Sequence, residues 1–307
     1  MSNILVIKHG SLGDIVQISG VLKDIKNAHA NDTVYFLTTS LFKDLFKQCP
    51  YVDVVLVDKR LPRWNIFYLL ELLFRIKKIN FIKCYDLQNS NRTHFYKNFF
   101  NIKDWSSSRS ILKDNETKEQ FDQEGVIERF QVQLERSGVK TINTLRPDFS
   151  WACDQNFKVD GKYIYVSPFS SLKLIHKRWP FYKELIDLIK KNFPNLKTIC
   201  APGPKEIDQC KDLGLDVVLD NGKSTNLMQL SKVIKDSVYV ISNDTGPAHI
   251  AAHLECKGLA IFGHHTSPKK VSIETEKFKA IQFEDLNNLK PETVFEKVKQ
   301  DLEFLKN

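Results

Sequence analysis

"NILVIKHGSLGDIV", residues Asn3–Val16, decides how this chain is read. Its first residues are mostly apolar and partly β-branched, the composition of a strand buried on both faces. Two glycines and a serine then turn the chain. Asp14 follows, and Ile15, Ile18, Leu22 and Ile25 recur at helical spacing behind it. A strand, a Gly-rich turn and an amphipathic helix open a βαβ unit. Asp14 stands where it either caps that helix or presents a carboxylate to a ligand beyond the strand's carboxyl end.

Working outward, the alternation continues. "TVYFLT" (Thr33–Thr38), "VVLV" (Val54–Val57) and "FIKCYD" (Phe81–Asp86) read as strands. After "LRPDFSW" it restarts with Tyr163–Ser167, Leu196–Ala201, Asp216–Asp220, Val238–Ser242 and Gly258–Phe262. Helical patterns fall at 180–192, 205–213, 226–235 and 247–254, and a last helix is expected from Pro291 to Leu305. Two such series predict an α/β protein of two Rossmann-like doubly wound domains, 1–155 and 156–307, facing a cleft.

A chain of 307 residues can bury two cores of that kind. Its 45 Lys and Arg against 37 Asp and Glu give a net charge of +8, which favours anionic partners. The six cysteines form no CxxC pair, so neither a zinc ribbon nor a disulfide framework is expected, and a reducing compartment is. "ILVI" before Lys8 is too short for a signal-peptide core, and no run is long and apolar enough to span a bilayer. "RLPRWNIFYLLELLFRIKK" (Arg60–Lys78) reads either as a helix covering the first sheet or as an amphipathic segment resting on an anionic membrane. The covering helix is the expectation, because a doubly wound fold needs apolar helices.

The chemistry concentrates in "SNDTGPAHIAAHLE", residues 242–255. A strand ends, a polar turn follows, and Pro247 sits where a first helical turn tolerates a missing N–H. Backbone N–H groups around Thr245 and Gly246, with the helix dipole behind them, make a phosphate site. An ordinary capped helix is the competing reading. His249 and His253 share the i, i+4 spacing of metal ligands, but nothing nearby completes a set, so His249 is expected to hydrogen-bond the ligand or the turn. "HKRWP" (His176–Pro180) brings Lys177 towards the same place, where a cation neutralises a leaving phosphate; Trp179 anchors that loop in the core. "NGKST" (Asn221–Thr225) is not a Walker loop, since Val217 stands where the first glycine belongs, and Thr225 reads as a helix N-cap. "GSLGD" is not GxGxxG, so a nicotinamide cofactor is not expected. No Asp-x-Asp occurs, so no metal–diphosphate clamp of that kind is expected.

The order of "ILVIKHGSLGDIV", "YDLQNSNRT" (Tyr85–Thr93), "KRWP", "GKSTNLMQL" (Gly222–Leu230) and "SNDTGPAHIAAHL" resembles glycosyltransferase family 9, the ADP-heptose:lipopolysaccharide heptosyltransferases and their relatives. The resemblance covers nearly the whole chain. It implies the two-Rossmann glycosyltransferase B fold, with an acceptor-side domain first and a nucleotide-sugar-binding domain second. It also implies an inverting transfer, with Asp14 matching the general base; with no metal clamp in the sequence, the transfer is expected to be metal-independent. Lys177, Asp244, Thr245, Gly246 and His249 match donor-binding positions, and Ser170 is added from the neighbouring loop. Ser11, Gly13, Arg60, Arg63 and Arg92 are the acceptor-side candidates, the arginines for gripping an anionic glycan. The chain departs from the family pattern in "SPFSS" (Ser167–Ser171), where NPG(A/S) is usual, and in "HH" after "IFG".

The resulting expectation is a bacterial enzyme of lipopolysaccharide core or related surface-glycan biosynthesis. It would take heptose from ADP-heptose or a similar nucleoside-diphosphate sugar, with no other cofactor. Expected partners are the nucleotide sugar and an anionic glycolipid acceptor, not nucleic acid. A cytoplasmic monomer is expected, with peripheral contact at the inner face of the membrane. A nucleotide-sugar epimerase of similar fold and a non-catalytic sugar-nucleotide or glycan-binding protein are the alternatives.

Overall fold

A computed structural model describes residues 1–303, and it divides the chain into two compact units, Met1–Trp151 and the chain from Ala152 onward. The end of the last expected helix, at Leu305, lies outside the described residues.

The first unit is built on five strands: β1 (Asn3–Ile7), β2 (Thr33–Thr38), β3 (Val54–Val57), β4 (Phe81–Asp86) and β5 (Asp104–Ser106). They pair in parallel in the order β3-β2-β1-β4-β5. Its helices are α1 (Leu12–Gln17), α2 (Ser19–Ala28), α3 (Lys43–Phe46), α4 (Ile66–Ile79), α5 (Asn91–Phe100), α6 (Lys118–Phe121) and α7 (Val126–Glu135). Strand order reverses between β1 and β4, so the loops after these two strands form the topological switch point where open α/β sheets bind ligands. The periodic run after Gly13 is two helices, not one, breaking at Ile18. α4 packs Tyr68, Leu69, Leu72 and Ile76 onto the sheet beside Leu5, Ile7 and Leu37, so it covers the first sheet.

The second unit holds β6 (Tyr163–Ser167), β7 (Lys197–Cys200), β8 (Asp216–Val217), a two-stranded hairpin of β9 (Leu219–Asp220) and β10 (Lys223–Ser224), and then β11 (Tyr239–Asn243), β12 (Gly258–Phe262) and β13 (Phe278–Gln282). Apart from the hairpin these make a parallel sheet ordered β13-β12-β11-β6-β7-β8. Its helices are α8 (Tyr182–Asn192), α9 (Ile207–Asp212), α10 (Leu227–Lys235), α11 (Gly246–His253) and α12 (Pro291–Leu302). Every residue of β6, β11 and β12 is buried, the continuous pattern that helices on both faces of a sheet demand. The switch point here lies between β6 and β11.

Two local expectations are corrected. The run Asp216–Asp220 is not one strand, because Asn221 and Gly222 adopt φ of +49° and +79° and fold its second half into the hairpin. "NGKST" is thereby the tip of a β-ribbon. Asn226, not Thr225, is the N-cap of α10, its Oδ1 accepting from Met228 N and Gln229 N while Gln229 answers in a capping box. β5 and β13 went unseen in the sequence: one is three residues long, and the other is an edge strand with only Phe278 and Ile281 buried.

Two buried carboxylates tie loops to this frame. Asp24, on α2, accepts from Asn143 N (2.9 Å), Asn143 Nδ2 (2.6 Å), Thr144 N (2.8 Å) and Thr144 Oγ1 (2.7 Å). The 142–151 segment thus lies close on α2, and a Cβ at Gly20 would collide with the Asn143 carbonyl. Asp86, at the end of β4, accepts from Gln88 N (3.1 Å) and Asn89 N (2.9 Å). Burial nevertheless pushes its pKa up to about 6.

Replacing Asp24 by alanine strands several buried donors and is expected to cost about 2–4 kcal/mol, read as a lower urea midpoint at unchanged slope. Asp86 gives a pH dependence with a definite sign. Its folded pKa lies above the unfolded value, so its contribution is complete below pH ~4 and is lost as pH rises through ~6. The stability of the wild type relative to Asp86→Asn should therefore fall by roughly 2–3 kcal/mol between pH 4 and pH 7. Denaturation curves at the two pH values measure it, and a flat difference would contradict the assignment.

Candidate active site

At the first switch point, Lys8 and His9 follow the end of β1, and Gly10 turns the chain at φ +115°. An L side chain is strained there, and a Cβ would also lie 2.6 Å from the Phe42 ring. Ser11 is the N-cap of α1, and Asp14 occupies the third helical position of a capping box. Its Oδ2 accepts from Ser11 N (2.8 Å) and Ser11 Oγ (3.0 Å). The other oxygen, Oδ1, lies 3.5 Å from Lys8 Nζ. Lys8 is nearly buried and also donates to the Leu87 carbonyl at 3.1 Å. Asp14 is 36% exposed. One oxygen therefore builds the turn, and the carboxylate still reaches solvent at the carboxyl edge of the sheet. Gly13, in the first turn, is buried.

Beneath the turn is a buried ionic cluster. Asp58, fully buried after β3, has His9 Nε2 3.1 Å from its Oδ2. It accepts from Tyr96 Oη (2.7 Å), from Arg60 N (2.7 Å) and from Tyr68 Oη. Burial raises its pKa, but the adjacent His9 imidazole and the hydrogen bonds from Tyr68 and Tyr96 outweigh this and hold the carboxyl well below the usual range. Among the arginine candidates, Arg92 is engaged here. Its Nε donates to Tyr96 Oη (2.6 Å) and its Nη2 to the Leu61 carbonyl (2.7 Å). Arg60 and Arg63 are exposed, Arg63 with its guanidinium 5.7 Å from the Phe95 ring centre.

In the second unit, β11 delivers Asn243 and Asp244 in succession. The Asn243 side chain points into the core. Its Oδ1 accepts from Trp179 N (3.1 Å) and Tyr182 Oη (3.2 Å), and its Nδ2 donates to the Pro168 carbonyl (2.7 Å). It thus binds the loop after β6 to the loop after β11. Trp179 is buried, and its Nε1 donates to the Leu289 carbonyl at 2.8 Å. Asp244 meets Lys177 Nζ at 2.6 Å and His265 Nε2 at 2.8 Å, with His249 Nε2 at 4.0 Å. Burial raises the Asp244 pKa, and the bonds from Lys177 and His265 more than reverse that, leaving it below its ordinary value.

Thr245 is the N-cap of α11, whose first turn contains Gly246 and Pro247. Its hydroxyl donates towards the Asn243 carbonyl at 3.3 Å. This helix end opens on a cavity of about 240 Å³ that is also lined by Ser167, Ser170 and Glu206. Ser170 Oγ donates to the Leu174 carbonyl (2.7 Å), so it shapes its own loop. Lys177, Asp244, Thr245, Gly246 and His249 are thus brought together, and Ser170 borders the same cavity.

His253 faces the interior, and burial drives its pKa down to about 3. His264 Nδ1 lies 3.0 Å from the Glu284 carbonyl. Among the described residues no group of three or more His, Cys, Asp or Glu side chains is placed to hold a metal ion. Sequence reasoning missed Lys8, His9, Asp58, Asn243 and His265. Asn243 ends β11 and the other four follow a strand within a few residues, so the rule that located Asp14 and Asp244 had the reach to find them.

Residues 104–299 match the model of glycosyltransferase family 9 (heptosyltransferase). A lipopolysaccharide heptosyltransferase 1 of Campylobacter coli is 25% identical over 294 residues, covering 85% of this chain and 83% of its own. Among solved structures, the Escherichia coli heptosyltransferase WaaC with ADP-2-deoxy-2-fluoro heptose superposes with a TM-score of 0.73 at 16% identity, covering 97% of this chain and 99% of that one. A family 9 glycosyl transferase from Veillonella parvula reaches a TM-score of 0.78 at 16% identity, over 100% and 98% of the two chains. The fold is the two-Rossmann fold of these glycosyltransferases. With its family model matched over more than half its length, the chain belongs to glycosyltransferase family 9, the heptosyltransferase family, and is a glycosyltransferase.

Proposed function

We propose that this enzyme transfers heptose, with inversion, from an ADP-linked donor to a hydroxyl of a lipopolysaccharide core or related surface glycan, without a metal cofactor. The observation that carries the proposal is the α11 N-terminus. It opens on a cavity at the second switch point, with the Lys177–Asp244 pair beside it. A nucleoside diphosphate needs such a place. The N–H groups and dipole of the helix meet the phosphate charge, and the Lys177 ammonium, held by Asp244, adds a cation. The nucleoside would occupy the cavity beside Glu206. The heptose and the ADP are supported by the relatives, one named for lipopolysaccharide heptose transfer and one solved with an ADP-heptose analogue.

In the reaction the acceptor oxygen attacks the anomeric carbon while the bond from that carbon to the diphosphate breaks. A single displacement of this kind inverts the centre. Asp14 takes the proton of the attacking hydroxyl, and the departing ADP keeps the bonding electrons. The capping box holds Asp14 in one rotamer, and Lys8 supplies a positive charge beside it throughout. Stabilisation of the leaving diphosphate by α11 and Lys177 is the larger contribution expected, since it acts where charge develops. The acceptor is proposed to be anionic, with Arg60 and Arg63, exposed in the loop after β3, as the cations that would meet it.

Two measurements check this reading. ADP should raise the melting temperature of the wild type, and Lys177→Ala should weaken ADP binding about 10–100-fold, the range of one charge-assisted contact. An unchanged affinity would remove Lys177 from the donor site. Asp14→Asn should keep the ADP-induced shift while turnover of ADP-heptose falls about 10²–10⁴-fold. Wild-type turnover in that variant would refute the base assignment. A change in the donor sugar without acceptor would mark an epimerase instead.

A further inference from the structure

α4 carries apolar residues on two faces, and only one of them is used by the fold. Tyr68, Leu69, Leu72 and Ile76 pack on the first sheet. On the outer face Phe67 is 89% exposed, Phe74 68% and Ile66 65%, and Trp64, just before the helix, is 80% exposed. Phe67, Leu70 and Phe74 follow the i, i+3, i+7 spacing of a continuous helical stripe. Single exposed apolar residues need no explanation, but a contiguous aromatic stripe does.

The charges around the stripe indicate what covers it. Lys59, Arg60 and Arg63 lie at its amino end, and Lys77 and Lys78 are exposed at its carboxyl end. Glu71 is the only acidic residue between Lys59 and Asn80. A second copy of this chain seated on the same face would bring basic ends together, at a like-charge cost. A protein partner is also disfavoured, because lysine is depleted at protein interfaces. An anionic lipid surface fits both features at once. Trp and Phe side chains enter the headgroup–acyl boundary, while lysine and arginine stems lie along it with their charges towards lipid phosphates.

We propose that the outer face of α4, from Trp64 to Lys78, is a membrane-docking surface that inserts Trp64, Phe67 and Phe74 into an anionic bilayer. The proposal does not depend on the sugar or nucleotide assigned above, because binding to lipid requires no turnover. Each basic residue near an anionic surface adds attraction that salt screens, and the aromatic side chains add an apolar part that salt leaves intact.

The test is flotation of the full-length protein with vesicles of phosphatidylcholine alone and of phosphatidylcholine with about one third phosphatidylglycerol, a composition that carries the negative charge needed. The wild type should float with the anionic vesicles and at least about tenfold less with the neutral ones. The triple variant Trp64→Ser, Phe67→Ser, Phe74→Ser should lose about tenfold or more of that binding while melting as the wild type does, since the three side chains are exposed. Lys77→Glu with Lys78→Glu should reduce it further at low salt than at high salt. Trp64 fluorescence should shift to the blue on anionic vesicles, and the shift should vanish in Trp64→Phe. No flotation of the wild type overturns the proposal, as does a triple variant that floats like the wild type. Concentration-dependent dimerisation abolished by the triple variant, without lipid binding, would assign the face to a second copy instead and also overturn it.

Discussion

A carboxylate out of reach of water must be wrapped by donors, or it gives up its charge. Asp58 meets that condition with groups from β1's end, its own loop, α4 and α5: His9, the Arg60 amide, Tyr68 and Tyr96. No two of these elements can shift apart without stranding a buried ion. His9 lies one residue before Gly10, and the capping box of Asp14 follows directly. The buried cluster therefore fixes the base of the turn whose exposed side carries the proposed catalytic carboxylate. Arg92 belongs to the same device: its guanidinium joins Tyr96 to the Leu61 carbonyl and so braces the loop that presents Arg60 and Arg63.

The second unit solves a similar problem with two neighbouring residues. Asn243 is neutral, and its amide both accepts and donates, so it can join three groups in the core without a charge to solvate. Asp244, one residue on, is charged and buried, and Lys177 and His265 balance its charge. Successive strand residues point to opposite sides, so one position locks the two loops together and the next supplies the ion pair at the ligand site. The departure from the family pattern at "SPFSS" fits this arrangement. Pro168 gives its carbonyl to Asn243, and the Phe169 ring packs under the Arg178 guanidinium at 5.4 Å, so the loop is held by side chains where the family usually has a glycine.

Much of this was legible in the sequence, for a definite reason. A parallel sheet with helices on both faces forces long apolar runs, so β1, β2, β4, β6, β11 and β12 are visible as β-branched stretches. The reactive loops follow them directly. What was not legible depends on contacts between distant residues. Nothing near His9 says that it will meet Asp58, and nothing near Asp244 announces His265. The division of "DVVLD" was missed for a different reason. An Asn-Gly turn outranks a β-branched run when the run is too short to hold both ends in one sheet.

α4 shows where periodicity stops informing. A helix apolar all round is read as buried, because in a folded core both faces find partners. Here the sheet takes one face and nothing in its own unit takes the other. The sequence contained the sign of this in the basic residues that bracket the run. A helix sandwiched in protein has no use for cations at both ends, since each would need a buried counter-charge. The lysines and arginines make sense only if the ends of α4 stay at a boundary with water or with anions. Composition at the flanks, more than the pattern within the helix, separates a core helix from one with a second, external partner.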